Sequence, residues 1–136
     1  MDPAVARALA ITPASPAGDR TVDITTTGRR SGRSHRIEIW FYRAGGTIYL
    51  SSQPGRKDWY ANLLANPAFT FHLKHGVRAD LPATATPITD EAERRRIFTE
   101  IVADLNQQAN PARILQPQRV EDWVAGSPLA EVTFEA

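Results

Sequence analysis

Nine residues, Gly28 to Arg36 (GRRSGRSHR), hold four arginines, one histidine and two glycines. A guanidinium meets phosphate or carboxylate through a planar fork of N–H donors, and glycine lets the chain turn its own N–H groups toward a ligand. Arg29, Arg30, Ser31 and Gly32 fall in a turn, and Arg36 falls in the strand that follows. So much like charge in one place is costly unless an anion or an acidic neighbour relieves it. The run also reads as a solvated basic turn, and it is neither a Walker loop nor a GxGxxG fingerprint. Residue types leave both readings open. A second polar and basic stretch, Ser51 to Lys57 (SSQPGRK), ends a strand in two hydroxyls, Ser51 and Ser52. It reaches a helix start through Gln53, Arg56 and Lys57, where the positive end of a helix dipole adds to the side-chain charge. Two cationic loops beside adjacent strands make a cradle for an anionic ligand.

The acid–base inventory is thin. His35, His72 and His75 have no metal-ligand spacing with a carboxylate pair, and His72 and His75 read as solvent-facing. No serine sits in a GxSxG elbow. Asp90, Glu91 and Glu93 followed by Arg94, Arg95 and Arg96 read as a solvated helix face. Glu38 stands out in a strand of apolar and aromatic neighbours. It either pairs with an arginine such as Arg36 or faces a ligand cavity. With no nucleophile or metal site in view, the chain reads as one that binds an anionic, planar ligand and leaves the chemistry to it. Trp40, Tyr42, Trp59 and Tyr60 offer flat surfaces for such a ligand, or simply core.

These residues need elements to position them. Asp2 and Pro3 start a short helix with Val5, Ala8 and Leu9 on its apolar side, and Thr12 to Asp19 reads as a loop. Thr21 to Thr27, His35 to Tyr42 and Thr47 to Ser52 form a meander turned by Ala44-Gly45-Gly46. Its middle strand sets Ile37, Ile39 and Phe41 on one face and Arg36, Glu38, Trp40 and Tyr42 on the other. A helix over Lys57 to Ala65 faces the sheet with Trp59, Leu63, Tyr60 and Leu64. Strands follow over Phe69 to Leu73 and Val77 to Pro87, where Pro82 calls for an edge or a bulge. A helix from Thr89-Asp90-Glu91 carries Ile97, Phe98, Ile101, Val102 and Leu105, and Asn110-Pro111 stops it. A short helix near Val120 to Val124 and a strand over Leu129 to Phe134 close the chain. Six mainly antiparallel strands with two or three helices predict an α+β protein built on a small barrel.

At 136 residues the chain reads as a single domain, 1–136, with residues 1–20 an N-terminal helix-and-loop appendage. It has no cysteine and a net charge of +1, so neither disulfides nor a global field for nucleic acid enters the reading. No apolar run approaches the roughly 18 residues of a membrane span, and no signal pattern opens the chain. A cytoplasmic protein with no stable membrane insertion is the expectation.

Taken together, TTTGRRSGRSHRIEIWFY, GGTIYLSSQPG and WYANLLANP resemble the deazaflavin-dependent nitroreductase family of flavin/deazaflavin oxidoreductases. The resemblance runs from about Thr21 to Thr89. It implies a split β-barrel, coenzyme F420 (FMN being the alternative) and hydride transfer to a small quinone-like or enone acceptor. A non-catalytic carrier of a flavin-like or lipidic ligand is the alternative on the same fold. By the resemblance, Arg29, Arg30 and Arg36, with Ser31 and Gly32 in the same turn, hold the coenzyme's phosphate and acidic tail. Ser51 and Ser52 lie beside its ring, and Gln53, Arg56 and Lys57 form the loop that follows. Trp59, Tyr60 and Asn62 seat the helix beside this lip. The chain departs from the family pattern at Glu38, where many members have proline, close to the ring. Its Ser52–Trp59 loop is short, Gln53 takes a lysine position, and Leu105 to Gln118 carries no tyrosine. Homodimerisation across the sheet is expected by analogy of fold.

Overall fold

The computed structural model describes residues 1–107, 111 and 116–135. Six strands, β1 (Thr21–Thr27), β2 (Ser34–Ala44), β3 (Thr47–Ser51), β4 (Ala68–Leu73), β5 (Ala79–Pro87) and β6 (Leu129–Phe134), close into an antiparallel barrel in the order β1-β2-β3-β6-β5-β4. Among the described residues there are five helices, α1 (Pro3–Leu9), α2 (Ala17–Arg20), α3 (Asp58–Ala65), α4 (Glu91–Asn106) and α5 (Val120–Gly126), of which α2 was not expected.

Alternation along the strands fills the barrel. Val22 and Ile24, Ile39 and Phe41, Ile48 and Leu50, and Phe69, Phe71 and Leu73 meet inside, opposite the small Ala83 and Ala85 of β5. Val5 and Leu9 of α1 and Trp59 and Leu63 of α3 join the same cluster, so the N-terminal segment is packed onto the barrel. A second core lies outside β2, β3 and β6. There Ile97, Phe98, Ile101, Val102 and Leu105 of α4 and Trp123 of α5 cover Tyr42, Tyr49 and Leu129. Both faces of β2 and β3 are therefore buried over part of their length, and that explains their nearly unbroken apolar runs.

The hairpin turn is Gly45-Gly46, with φ of 56° and 80°, the left-handed geometry that a two-residue primed turn requires. Asp2 Oδ1 accepts from the Ala4 and Val5 N–H groups, and Asp90 Oδ2 accepts from the Glu93 N–H at 2.9 Å, so both helix starts are capped as read.

Four expectations need correction. The Thr12 to Asp19 loop runs into α2, whose Arg20 is buried and donates to Asp104 Oδ2 at 2.6 Å and to the Thr12, Pro13 and Ser15 carbonyls. Pro82 lies in a strand paired on both sides, not at an edge. Its carbonyl accepts from the Glu135 N–H beyond the end of β6, so its missing N–H falls at the last rung of that ladder. Leu64 is 54% exposed, because α3 turns only Trp59, Asn62 and Leu63 fully inward. Lastly, α4 ends at Asn106; of the expected Asn110-Pro111 stop, Asn110 lies outside the described residues.

Candidate functional site

β2 is long because it serves two partners. Its residues Ser34 to Trp40 pair with β1, and Phe41 to Ala44 pair with β3. Along Ser34 to Trp40 the strand has β1 on one edge and, among the described residues, no strand on the other. The loop after β3 and the head of α3 enter this fork. A cavity of about 450 Å³ fills it, lined by Ile37, Glu38, Trp40 and Tyr42 of β2 and by Ser51, Ser52, Gln53, Lys57 and Trp59. Leu105, Gln118 and Trp123 close its far side, where Trp123 Nε1 donates to Gln118 Oε1 at 3.1 Å. Ser51 is buried and its Oγ donates to the Pro128 carbonyl at 2.6 Å, which ties β3 to the start of β6. The Ser52 hydroxyl is also buried but has no hydrogen-bond partner among the described residues.

Ile37 and Trp59 also line a second cavity of about 400 Å³, so the fork adjoins the arginine turn. Arg29, Arg30, Ser31, His35 and Asn62 form its walls. The turn closes on itself: the Gly28 N–H donates to the Arg33 carbonyl at 2.8 Å, and the Gly32 N–H donates to the Gly28 carbonyl at 3.0 Å. Buried Asn62 holds it to α3, its Oδ1 accepting from the Arg29 backbone N–H at 3.1 Å and from Arg29 Nη1 at 2.9 Å. Arg29 Nη2 reaches Asp58 Oδ1 at 3.2 Å. Arg29 is thus engaged in building the turn, while Arg30 is exposed and has no ion pair among the described residues. Gly28 is needed for a close approach. A Cβ there would lie 2.7 Å from His35 Nε2 and 2.9 Å from Ser31 Oγ.

Gly32 and Arg36, both named with this site, line none of these cavities. Arg36 projects from the opposite face of β2, where its Nε donates to Asp23 Oδ2 at 3.0 Å. The strand's alternation brings His35 to the arginine turn instead, a residue the sequence reading left out. Glu38 pairs with Lys74, not with Arg36, while still lining the mouth of the fork cavity. Lys74 Nζ also bonds Asp23 Oδ1 at 2.7 Å, and this bond holds the Asp23 carboxyl below its ordinary range. His72 is buried rather than solvent-facing: its Nε2 and Thr25 Oγ1 are 2.7 Å apart, and its Nδ1 and Asp80 Oδ1 are 2.6 Å apart. Arg56 lies in a third cavity, with Arg29, Lys57 and Asp58.

An aromatic-walled slot opening onto a cationic turn suits a planar ligand with an anionic arm. The partnerless Ser52 hydroxyl and the bare edge of β2 offer hydrogen bonds to such a ring. The combined cavities are in the size range of cofactor pockets, about 300–1,000 Å³. Fold and site together define a split barrel with a cleft suited to a flat, anionic coenzyme. A family model described as F420H(2)-dependent quinone reductase matches residues 13–119, and the chain belongs to that family. It is an F420-dependent reductase, and the donor set fits its coenzyme. Solved structures share the fold. A conserved hypothetical protein from Mycobacterium tuberculosis is 18% identical with a TM-score of 0.65, covering 100% of this chain and 82% of its own. A putative pyridoxamine 5'-phosphate oxidase from Listeria innocua is 15% identical at 0.57, covering 86% and 85%. An F420-H2 dependent reductase, FDR-A, is 18% identical at 0.51, covering 84% and 94%. Among the described residues no helix is long and apolar enough to cross a membrane.

Proposed function

We propose that the acceptor is a small, planar, quinone-like or enone molecule, reduced in the fork between β2 and β3. One observation carries this reading: the aromatic-walled cavity of about 450 Å³ adjoins the arginine-turn cavity, with Ile37 and Trp59 lining both. Reduced F420, when bound, supplies a hydride, so the chain needs no nucleophile of its own. Arg30 and His35 hold the coenzyme's anionic arm, with Arg29 fixing the turn from behind. The Ser52 hydroxyl and the backbone edge of β2 meet the polar rim of the ring. Trp40, Tyr42 and Trp59 wall the slot, orient flat partners and exclude water. Apolar walls and the family's own quinone chemistry favour an acceptor with a conjugated carbonyl.

The test is a fluorescence titration with F420, FMN and FAD, followed by turnover of reduced F420 with a naphthoquinone and an enone. Micromolar or tighter F420 binding and saturable reduction of the quinone are the expected results. Tight coenzyme binding without reduction of any conjugated carbonyl would overturn the acceptor assignment.

A further inference from the structure

We infer that the third cavity, about 790 Å³ at the head of α3, is a second anion subsite, adjoining the arginine-turn cavity with which it shares Arg29 and Asp58. Four cations and one carboxylate line it: Arg29, Arg56, Lys57, Arg94 and Asp58. Asp58 is paired with Arg29, and among the described residues Arg56, Lys57 and Arg94 have no carboxylate partner. Arg94 is fixed in place without one. Its Nε, Nη1 and Nη2 donate to the Ile88, Trp123, Val124 and Ser127 carbonyls at 2.6 to 3.2 Å, closing the C-terminal end of α5. Burial pushes its pKa down.

Two features of the wall ask for acceptor oxygens. Ser127 is 3% exposed, lines the cavity and has a hydroxyl with no hydrogen-bond partner among the described residues. The α3 N-cap residue, Lys57, makes no side-chain cap, so the first-turn N–H groups beside the cavity have no side-chain acceptor. A carboxylate or phosphate group satisfies the hydroxyl, the N–H groups and the surplus charge together. Only the source of that group rests on the function proposed above: it belongs either to the far end of the coenzyme's acidic arm or to an acid group on the acceptor.

Amide NMR on the full chain during titration with inorganic phosphate tests this. Two sets of shifts are expected, one over Gly28, Arg30 and Ser31 and one over Gly55, Arg56, Tyr60 and Ser127. Arg56→Ser combined with Ser127→Ala should weaken the second set about tenfold and spare the first, while Arg30→Ala should do the reverse. Shifts confined to the arginine turn, or a double variant that titrates like the parent, would overturn the subsite; unchanged amide spectra before phosphate is added show that both variants are folded. Repeating the titration with F420 present identifies the source. Displacement of phosphate from both sets assigns the second anion to the coenzyme, and displacement from the turn alone assigns it to the acceptor. If F420 displaces neither, the coenzyme placement fails while the subsite stands.

Discussion

At the scale of residues, counting cations misleads and strand parity corrects it. Arg29, Arg30 and Arg36 look equivalent in the sequence, yet each does something different. Arg29 is bonded to Asn62 and Asp58, Arg30 faces the groove without an ion pair, and Arg36 is drawn to Asp23 on the far side of β2. Arg30→Ala should therefore weaken F420 binding by roughly 10- to 100-fold, the worth of one charge-assisted contact, and Arg36→Ala should leave it nearly unchanged. Fluorescence titration of both variants decides it. Parity was legible in advance: Ile37 and Ile39 were read as one face, and His35 belongs with them. What stood in the way was the charge of Arg36, which drew attention from the ring beside it. Gly28 gives a second test. A methyl group there displaces His35 Nε2 and Ser31 Oγ without straining the backbone. Gly28→Ala should leave the thermal midpoint within a few degrees and lower coenzyme affinity, read by the same titration.

At the scale of elements, most boundaries followed from periodicity and punctuation. β1 and β6 fall where their alternating residues put them, and all five apolar positions read on α4 are buried. Partnership was not legible. That β2 would change neighbours at Trp40–Phe41 depends on how far β3 extends, which is settled by packing against α4 and α5 and leaves no local mark. Gln118, Ser127 and Trp123 reach the site for the same reason, by long-range packing of a poorly patterned segment. Asn62 is the buried link between α3 and the arginine turn, beside the exposed Arg29–Asp58 ion pair. Asn62→Ala removes the acceptor for the Arg29 backbone N–H and should cost about 1–3 kcal/mol in chemical denaturation. Coenzyme affinity should fall with it, since the turn loses its anchor.

For the whole molecule, the sequence conveyed the class of fold because six alternating strands have few ways to hide their apolar faces. It did not convey the polar seam outside β1, β2 and β4, where Asp23 binds both Lys74 and Arg36. That seam makes stability depend on pH. The Lys74 hydrogen bond keeps the Asp23 carboxyl below 3.8, so its contribution is complete above that value and is lost as pH falls through the lower folded one. Thermal midpoints should drop on acidification below pH about 4, and Asp23→Asn should make that decline shallower. The parted stretch of β2 has one more consequence. A barrel ordinarily leaves no strand edge to recruit a neighbour, yet here the backbone of Ser34 to Trp40 is open on one side until a ligand lies along it. A coenzyme seated along that edge, as proposed above, would cover this template for strand addition between copies. Saturating F420 should accordingly slow light-scattering growth at elevated temperature by more than its effect on the midpoint accounts for. In this barrel the coenzyme would act as a chaperone for its own enzyme.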